Sequence, residues 1–150
     1  TMRNYLDEII LSFKENRKKK FIFNFDQFSN VKKITKSIEI VYGLRNFIGN
    51  ANKFSKNSIY INLKSDSECT EITIEDDGNG YPKDVLSKIG EPYLRSNDPI
   101  DKSKTGLGLG LFIGKTLLEK NFASINCRNS KTRSGAEVVI KWNNKDLFNI

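Results

Sequence analysis

The chain of 150 residues has no histidine, two cysteines, one tryptophan and one methionine. The missing imidazole removes histidine-based acid–base catalysis and the common zinc sites. Cys69 and Cys127 are too few and too far apart for a disulfide framework or a metal cluster, so a reducing compartment is the default. Neither an apolar run of about 18 residues nor a signal peptide is present, and a soluble segment is expected. A hydrophobic fraction of 37% beside 29% charge is low, but 10 Phe and 5 Tyr supply core material and argue against disorder. One domain with a substantial core is expected over residues 1–150.

The formal net charge is +7, which suits nucleic acid, an anionic ligand or simple solubility. The densest basic run, Lys14 to Lys20, follows a helical pattern and precedes a strand-like one. It reads as a solvated helix end favoured by the dipole. No aromatics are interleaved with these charges as in single-strand binders, which disfavours nucleic-acid binding.

In Met2 to Phe13 the residues Tyr5, Leu6, Ile9, Ile10 and Phe13 form the stripe of an amphipathic helix. Strands are expected at Phe21 to Phe25, Ser58 to Lys64, Thr70 to Glu75, Ala123 to Asn129 and Glu137 to Trp142. A further short strand is possible near Val31 to Ile34, and a short helix over Asp84 to Ile89. The polar, Gly- and Pro-containing stretch that follows, up to Thr105, reads as a long lid-like loop.

Three stretches carry chemistry. In the helix expected from Ser37 to Phe54, Val41, Leu44, Ile48 and Ala51 face the core, while Asn46, Asn50 and Lys53 share a narrow wedge on the other side. A carboxamide oxygen suits Mg²⁺, and a lysine one turn away suits phosphate. Asp76-Asp77-Gly78-Asn79-Gly80 sets a carboxylate at a strand end, with glycines that admit a ligand close to the backbone; its plain alternative is a turn. Finally, Lys104 to Glu119 begins with alternating glycines, 106, 108 and 110, read as a loop turning into an apolar helix whose free N–H groups suit an anion. It is not a P-loop, because position 109 is leucine. Nor is it a dinucleotide fingerprint, because positions 111 and 113 are leucine and isoleucine.

In this order the pieces resemble the ATP-binding catalytic domain of bacterial sensor histidine kinases, within the GHKL superfamily of gyrase, Hsp90 and MutL. Leu44 to Ser55 resembles the N box, Asp76 to Gly80 the G1 box, Gly90 to Ser96 the F box of the lid and Gly106 to Leu111 the G2 box. The resemblance spans about residues 38 to 142, and the Gly-Glu-Pro-Tyr lid and terminal Val-Ile-Lys-Trp are similar to the redox-responsive RegB/PrrB type. It departs from the pattern at Tyr93, where many relatives have Phe, and at Ala136, where many have a Thr near the base.

The fold so implied is an α/β (α+β) two-layer sandwich, with a mixed, mostly antiparallel sheet and helices on one face. The resemblance assigns ATP and Mg²⁺ as ligands, with Asn50 on the metal, Asn46 supporting the phosphate site, Lys53 on phosphate and Phe54 beside the adenine. Asp76 would accept the adenine amine, with Gly78 and Gly80 passing close to base and ribose. Gly106, Leu107, Gly108, Leu109, Gly110 and Leu111 would lie at the phosphates, with Thr105, Lys104 and Arg95 as lid contacts. With no histidine the chain cannot hold its own phosphoacceptor. It is therefore expected to be the cytoplasmic, monomeric catalytic part of a membrane-anchored homodimer, with its own dimerisation domain and a response regulator as partners. The alternatives are a free-standing serine kinase of the anti-sigma-factor type, disfavoured by Asn46 where a Glu is usual, and a non-enzymatic basic nucleic-acid-binding module.

Overall fold

A computed structural model describes residues 1–14, 19–25, 37–89 and 105–147. The candidate strand near Val31, the Gly90 to Ser96 motif and Arg95 and Lys104 lie outside them. Helix α1 (Met2–Lys14) is followed by β1 (Lys20–Phe25), α2 (Ile38–Phe54), β2 (Ser58–Ser65) and β3 (Cys69–Asp76). Then come α3 (Lys83–Ile89), α4 (Thr105–Lys120), β4 (Ser124–Asn129), β5 (Ala136–Asn143) and the short α5 (Asn144–Leu147).

The strands form one sheet in the order β1-β2-β3-β5-β4, with β1 and β2 parallel and every other pair antiparallel. The parallel pair follows from the crossover: a strand that returns alongside its predecessor needs an intervening helix, here α2. Period-two alternation sends Ile59, Ile61 and Leu63 of β2, Ile72 and Ile74 of β3, and Val138, Ile140 and Trp142 of β5 to one face, all buried. Each such aliphatic side chain contributes about 1.5–3 kcal/mol by leaving water. Helices α1, α2 and α4 cover that face through Leu6, Ile9, Leu44, Phe47, Ile48, Leu111 and Leu118. The two-layer sandwich expected from the sequence is what forms.

Helix α2 starts where Ser37, in extended conformation, accepts a hydrogen bond from the Ile40 N–H at 3.3 Å, filling one of the orphan donors of the first turn. It runs antiparallel to α4: Lys120 pairs with Glu39 at one end, while Asn46 lies opposite Gly110 at the other. The helices approach closely because glycines sit at the crossing. A Cβ on Gly43 would come within 2.6 Å of Leu118 Cγ, and one on Gly114 within 2.9 Å of the Phe47 ring.

The glycine-rich stretch departs from expectation. Thr105 to Gly110 are the opening turns of α4 rather than a loop before it. The interleaved leucines are good helix formers, and at Gly114 close packing on α2 works against the roughly 1 kcal/mol that a helical glycine costs. Only the first-turn residues Thr105, Gly106 and Leu107 retain N–H groups with no intrahelical partner; those of Gly110 and Leu111 lie within the helical ladder.

Candidate functional site

One cleft opens where the C-terminal half of α2 meets the ends of β3 and β5. Helix α2 gives it Phe47, Asn50, Ala51 and Phe54, and β3 gives Ile74 and Asp76. The loop after β3 adds Gly80 and Tyr81, and β5 adds Ala136 and Val138. Most of these side chains are apolar, and the Asp76 carboxylate, the Asn50 carboxamide and the Tyr81 phenol add polar groups, a make-up that suits a small molecule.

Asp76 continues the inward-facing series Thr70, Ile72, Ile74 and is 4% exposed. Its Oδ1 accepts from the Gly78 N–H at 2.8 Å and the Ala136 N–H at 3.3 Å. Its Oδ2 accepts none among the described residues, which leaves a fixed acceptor in the cleft. Burial raises the Asp76 carboxyl above its ordinary 3.8, and those two backbone bonds pull it back only in part. Neighbouring Asp77 adds to the rise and Lys19 opposes it.

Two glycines make this placement possible. A side chain on Gly78 would collide with the Phe54 carbonyl, and one on Gly135 with the backbone and carboxylate of Asp76. Gly80, at φ +80°, occupies the left-handed region that favours glycine.

The α2 wedge divides in space. Asn50 lines the cleft, and its carboxamide has no hydrogen-bond partner among the described residues. Asn46 donates from Nδ2 to the Tyr42 carbonyl at 2.8 Å and turns its oxygen towards Gly110. Lys53 is exposed, its Nζ 5.4 Å from the centre of the Phe54 ring. Asn50, Phe54, Asp76 and Gly80 therefore share one cavity, while Asn46 and Lys53 flank it and Gly78 supports it from below. Gly110 and Leu111 are not among the residues that line the cleft; Gly110 lies beside Asn46.

Residues 35–146 match the family described as histidine kinase-, DNA gyrase B- and HSP90-like ATPase. The chain belongs to this family. It is an ATP-binding domain of the histidine kinase-like ATPases. The sensor histidine kinase RegB of Cereibacter sphaeroides is 34% identical over 69% of this chain and 26% of its own length. A putative NtrY-like sensor histidine kinase of Rickettsia bellii is 27% identical over 85% of this chain and 20% of its own. The chain thus spans about a quarter or less of the curated relatives it matches. Among solved structures, the catalytic domain of histidine kinase ThkA superposes with a TM-score of 0.73 at 19% identity, covering 95% of this chain and 92% of that one. Mycobacterial sensor histidine kinase MprB gives 0.70 at 20% identity, covering 95% of each chain. These two share the fold of this ATPase domain.

Several supporting residues were not singled out from the sequence. Asp77 faces away from the cleft and accepts from the N–H groups of Lys56 (2.8 Å), Asn57 (3.0 Å) and Ser58 (3.2 Å), closing the α2–β2 turn. Burial pushes its carboxyl up, but these backbone bonds outweigh it and hold the group below 3.8. Lys19 donates to the Ser55 carbonyl in the same turn. Beneath the cleft, buried Tyr81 packs against Cys127; burial raises the phenol well above 10 and the thiol to about 12, so both stay neutral and the thiol is inert.

Proposed function

We propose that this ATP-binding domain is the catalytic part of a two-component sensor histidine kinase, presenting the γ-phosphoryl of ATP to a histidine on a separate dimerisation domain. The observation that carries the base site is Asp76. A carboxylate that lines the cleft with one oxygen locked by two N–H groups and the other without a hydrogen-bond partner among the described residues is an acceptor suited to the exocyclic amine of adenine. A guanine carbonyl at the same place would meet repulsion. The Phe54 and Tyr81 rings and the Ala136 methyl supply apolar contact for the base.

The phosphates would then lie towards Asn50, Lys53 and the first turn of α4, where the N–H groups of Thr105, Gly106 and Leu107 and the positive end of the helix dipole favour anions. Mg²⁺ fits the donor set. Among the described residues no group of three carboxylates, cysteines or histidines could hold a resident ion, whereas one neutral oxygen ligand beside nucleotide phosphates is how this cation is commonly held. Asn50 would be that ligand, and the ion would neutralise phosphate charge.

The chain's lack of histidine supports an acceptor on another domain, as do the relatives named sensor histidine kinases. Catalysis here is positioning and charge neutralisation, so no nucleophile is needed within this domain. The same reading gives the whole protein a dimerisation domain, a membrane anchor and a downstream response regulator, with this part on the cytoplasmic side. Among the described residues, no helix is long and apolar enough to cross a membrane.

Thermal melting with saturating Mg-ADP, and separately with duplex DNA, tests the ligand class. Ligand that binds only the folded state raises the melting temperature. ADP should raise it and DNA should not; a rise with DNA alone would favour a nucleic-acid module.

A further inference from the structure

We infer that Asn129 is a positioning residue for the adenine site, a two-point latch holding the cleft wall formed by Gly80 and Tyr81. The inference rests on the adenine-site reading above and extends it to a residue outside the four boxes. Asn129 is the last residue of β4 and lies far from the N, G1 and G2 segments in sequence. Its side chain pairs with the backbone of Tyr81 as a neighbouring strand would. Oδ1 accepts from the Tyr81 N–H at 2.6 Å, and Nδ2 donates to the Tyr81 carbonyl at 3.2 Å.

The loop it grips has no strand partner of its own, since β3 ends at Asp76. Gly80 is shaped to the latch: besides its positive φ, a Cβ there would stand 2.7 Å from Asn129 Oδ1.

The opposite edge of the same cross-strand pair touches the other wall. Asn129 is in register with Ala136, whose N–H donates to Asp76 Oδ1. One β4–β5 pair therefore sets both the carboxylate that reads the base and the loop that encloses it. The next pair, Arg128 with Glu137, is joined by an ion pair in which Arg128 Nε donates to Glu137 Oε1 at 2.7 Å. The hairpin end is thereby a firm mount. Asn129 meets the base only through Tyr81 and Gly80, so its effect falls on base binding and leaves the phosphate side alone.

The test compares Asn129→Ala and Asn129→Asp with the parent chain in calorimetric titrations with adenosine, ADP and pyrophosphate, below the melting transition of each variant. Asn129→Asp keeps the acceptor for the Tyr81 N–H but sets an oxygen against the Tyr81 carbonyl, so it breaks the latch with little change of shape. Both variants should bind adenosine and ADP roughly tenfold more weakly, the scale of one or two lost hydrogen bonds, with pyrophosphate affinity unchanged. A merely structural role would lower melting temperature and leave the ratio of adenosine to pyrophosphate affinity where it was. Parent-like adenosine binding by folded Asn129→Asp, or a loss confined to ADP and pyrophosphate, overturns the latch. Failure of the parent chain to bind adenosine or ADP overturns the adenine site and the latch together.

Discussion

Asp76 and Asp77 are adjacent in the chain and opposite in environment. Asp76 ends the inward series of β3 and offers a buried oxygen to the cleft, whereas Asp77 points the other way and gathers three backbone N–H groups of the turn after α2. Burial raises one carboxyl and hydrogen bonds lower the other. A cleft-lining acceptor and a turn-closing one are thus made from two identical side chains by their neighbouring places at a strand end.

Asp76→Asn separates binding from stability. Because the folded state raises this group's affinity for a proton, its stability contribution is full below 3.8 and is lost as pH rises through the folded value. Neutral asparagine should therefore leave the free protein's neutral-pH melting temperature equal or higher. ADP affinity should fall by roughly 1.5–3 kcal/mol, the range for hydrogen bonds to charged groups. Calorimetric titration with ADP checks this; an unchanged dissociation constant would remove Asp76 from the base site.

Asp77→Ala should do the converse. With its folded value below 3.8, Asp77 contributes stability that is full above 3.8 and is lost as pH falls through the folded value. Its removal should cost about 1–3 kcal/mol at neutral pH through the loss of charged hydrogen bonds to three backbone N–H groups, and flatten the acid limb of the stability curve. Urea unfolding across pH 2–7 tests this, with the parent's acid limb as the comparison.

Two glycines in different settings should respond differently to a methyl group. Gly135→Ala drives a side chain into the backbone of Asp76, which cannot yield without moving the β3 end. A loss of about 1–3 kcal/mol, the cost of overpacking, should come with weakened ADP binding. Gly49→Ala meets only the Phe13 ring tip at 3.2 Å and gains helix propensity of up to about 1 kcal/mol, so its melting temperature should stay near the parent's. Melting curves of the two variants decide the order.

Much of this site is legible from local pattern. Alternation through Ile72 and Ile74 already turns Asp76 inward, and helical spacing already separates Asn46 and Asn50 from the Leu44 and Ile48 face. What escapes is set by distant partners. Asp77 acts on residues about 20 positions earlier, Asn129 on Tyr81 48 positions earlier, and Gly135 on Asp76, and no periodicity records such pairings. The start of α4 is obscured for a related reason: glycine punctuates loops in most sequences, yet here α4 runs through its glycines, and at Gly114 close packing on α2 leaves no room for a side chain. Helix α5 is four residues long, too short for a helical period. It is held instead by Asn144, which bonds Thr70 Oγ1 and the Asp66 carbonyl.

Asn50 and Asn52 give a contrast within one helix. Asn50 lines the cleft and Asn52 does not. Asn50→Ala should abolish the Mg²⁺ dependence of ATP binding, while Asn52→Ala keeps it. A magnesium titration at fixed nucleotide measures both, and the reverse ranking would put the phosphates on the wrong side of α2.

The most direct test of the kinase reading is incubation with γ-labelled ATP, first with this chain alone and then with the histidine-bearing dimerisation domain that the proposed function assigns to its full-length protein. Without an acceptor the γ-phosphoryl can pass only to water, and no described residue has the evident task of orienting that water. The chain alone should stay unlabelled and hydrolyse ATP very slowly, and the added domain should acquire acid-labile phosphohistidine. Stoichiometric acid-stable label on a serine or threonine of this chain would contradict the histidine-kinase reading and favour a serine kinase.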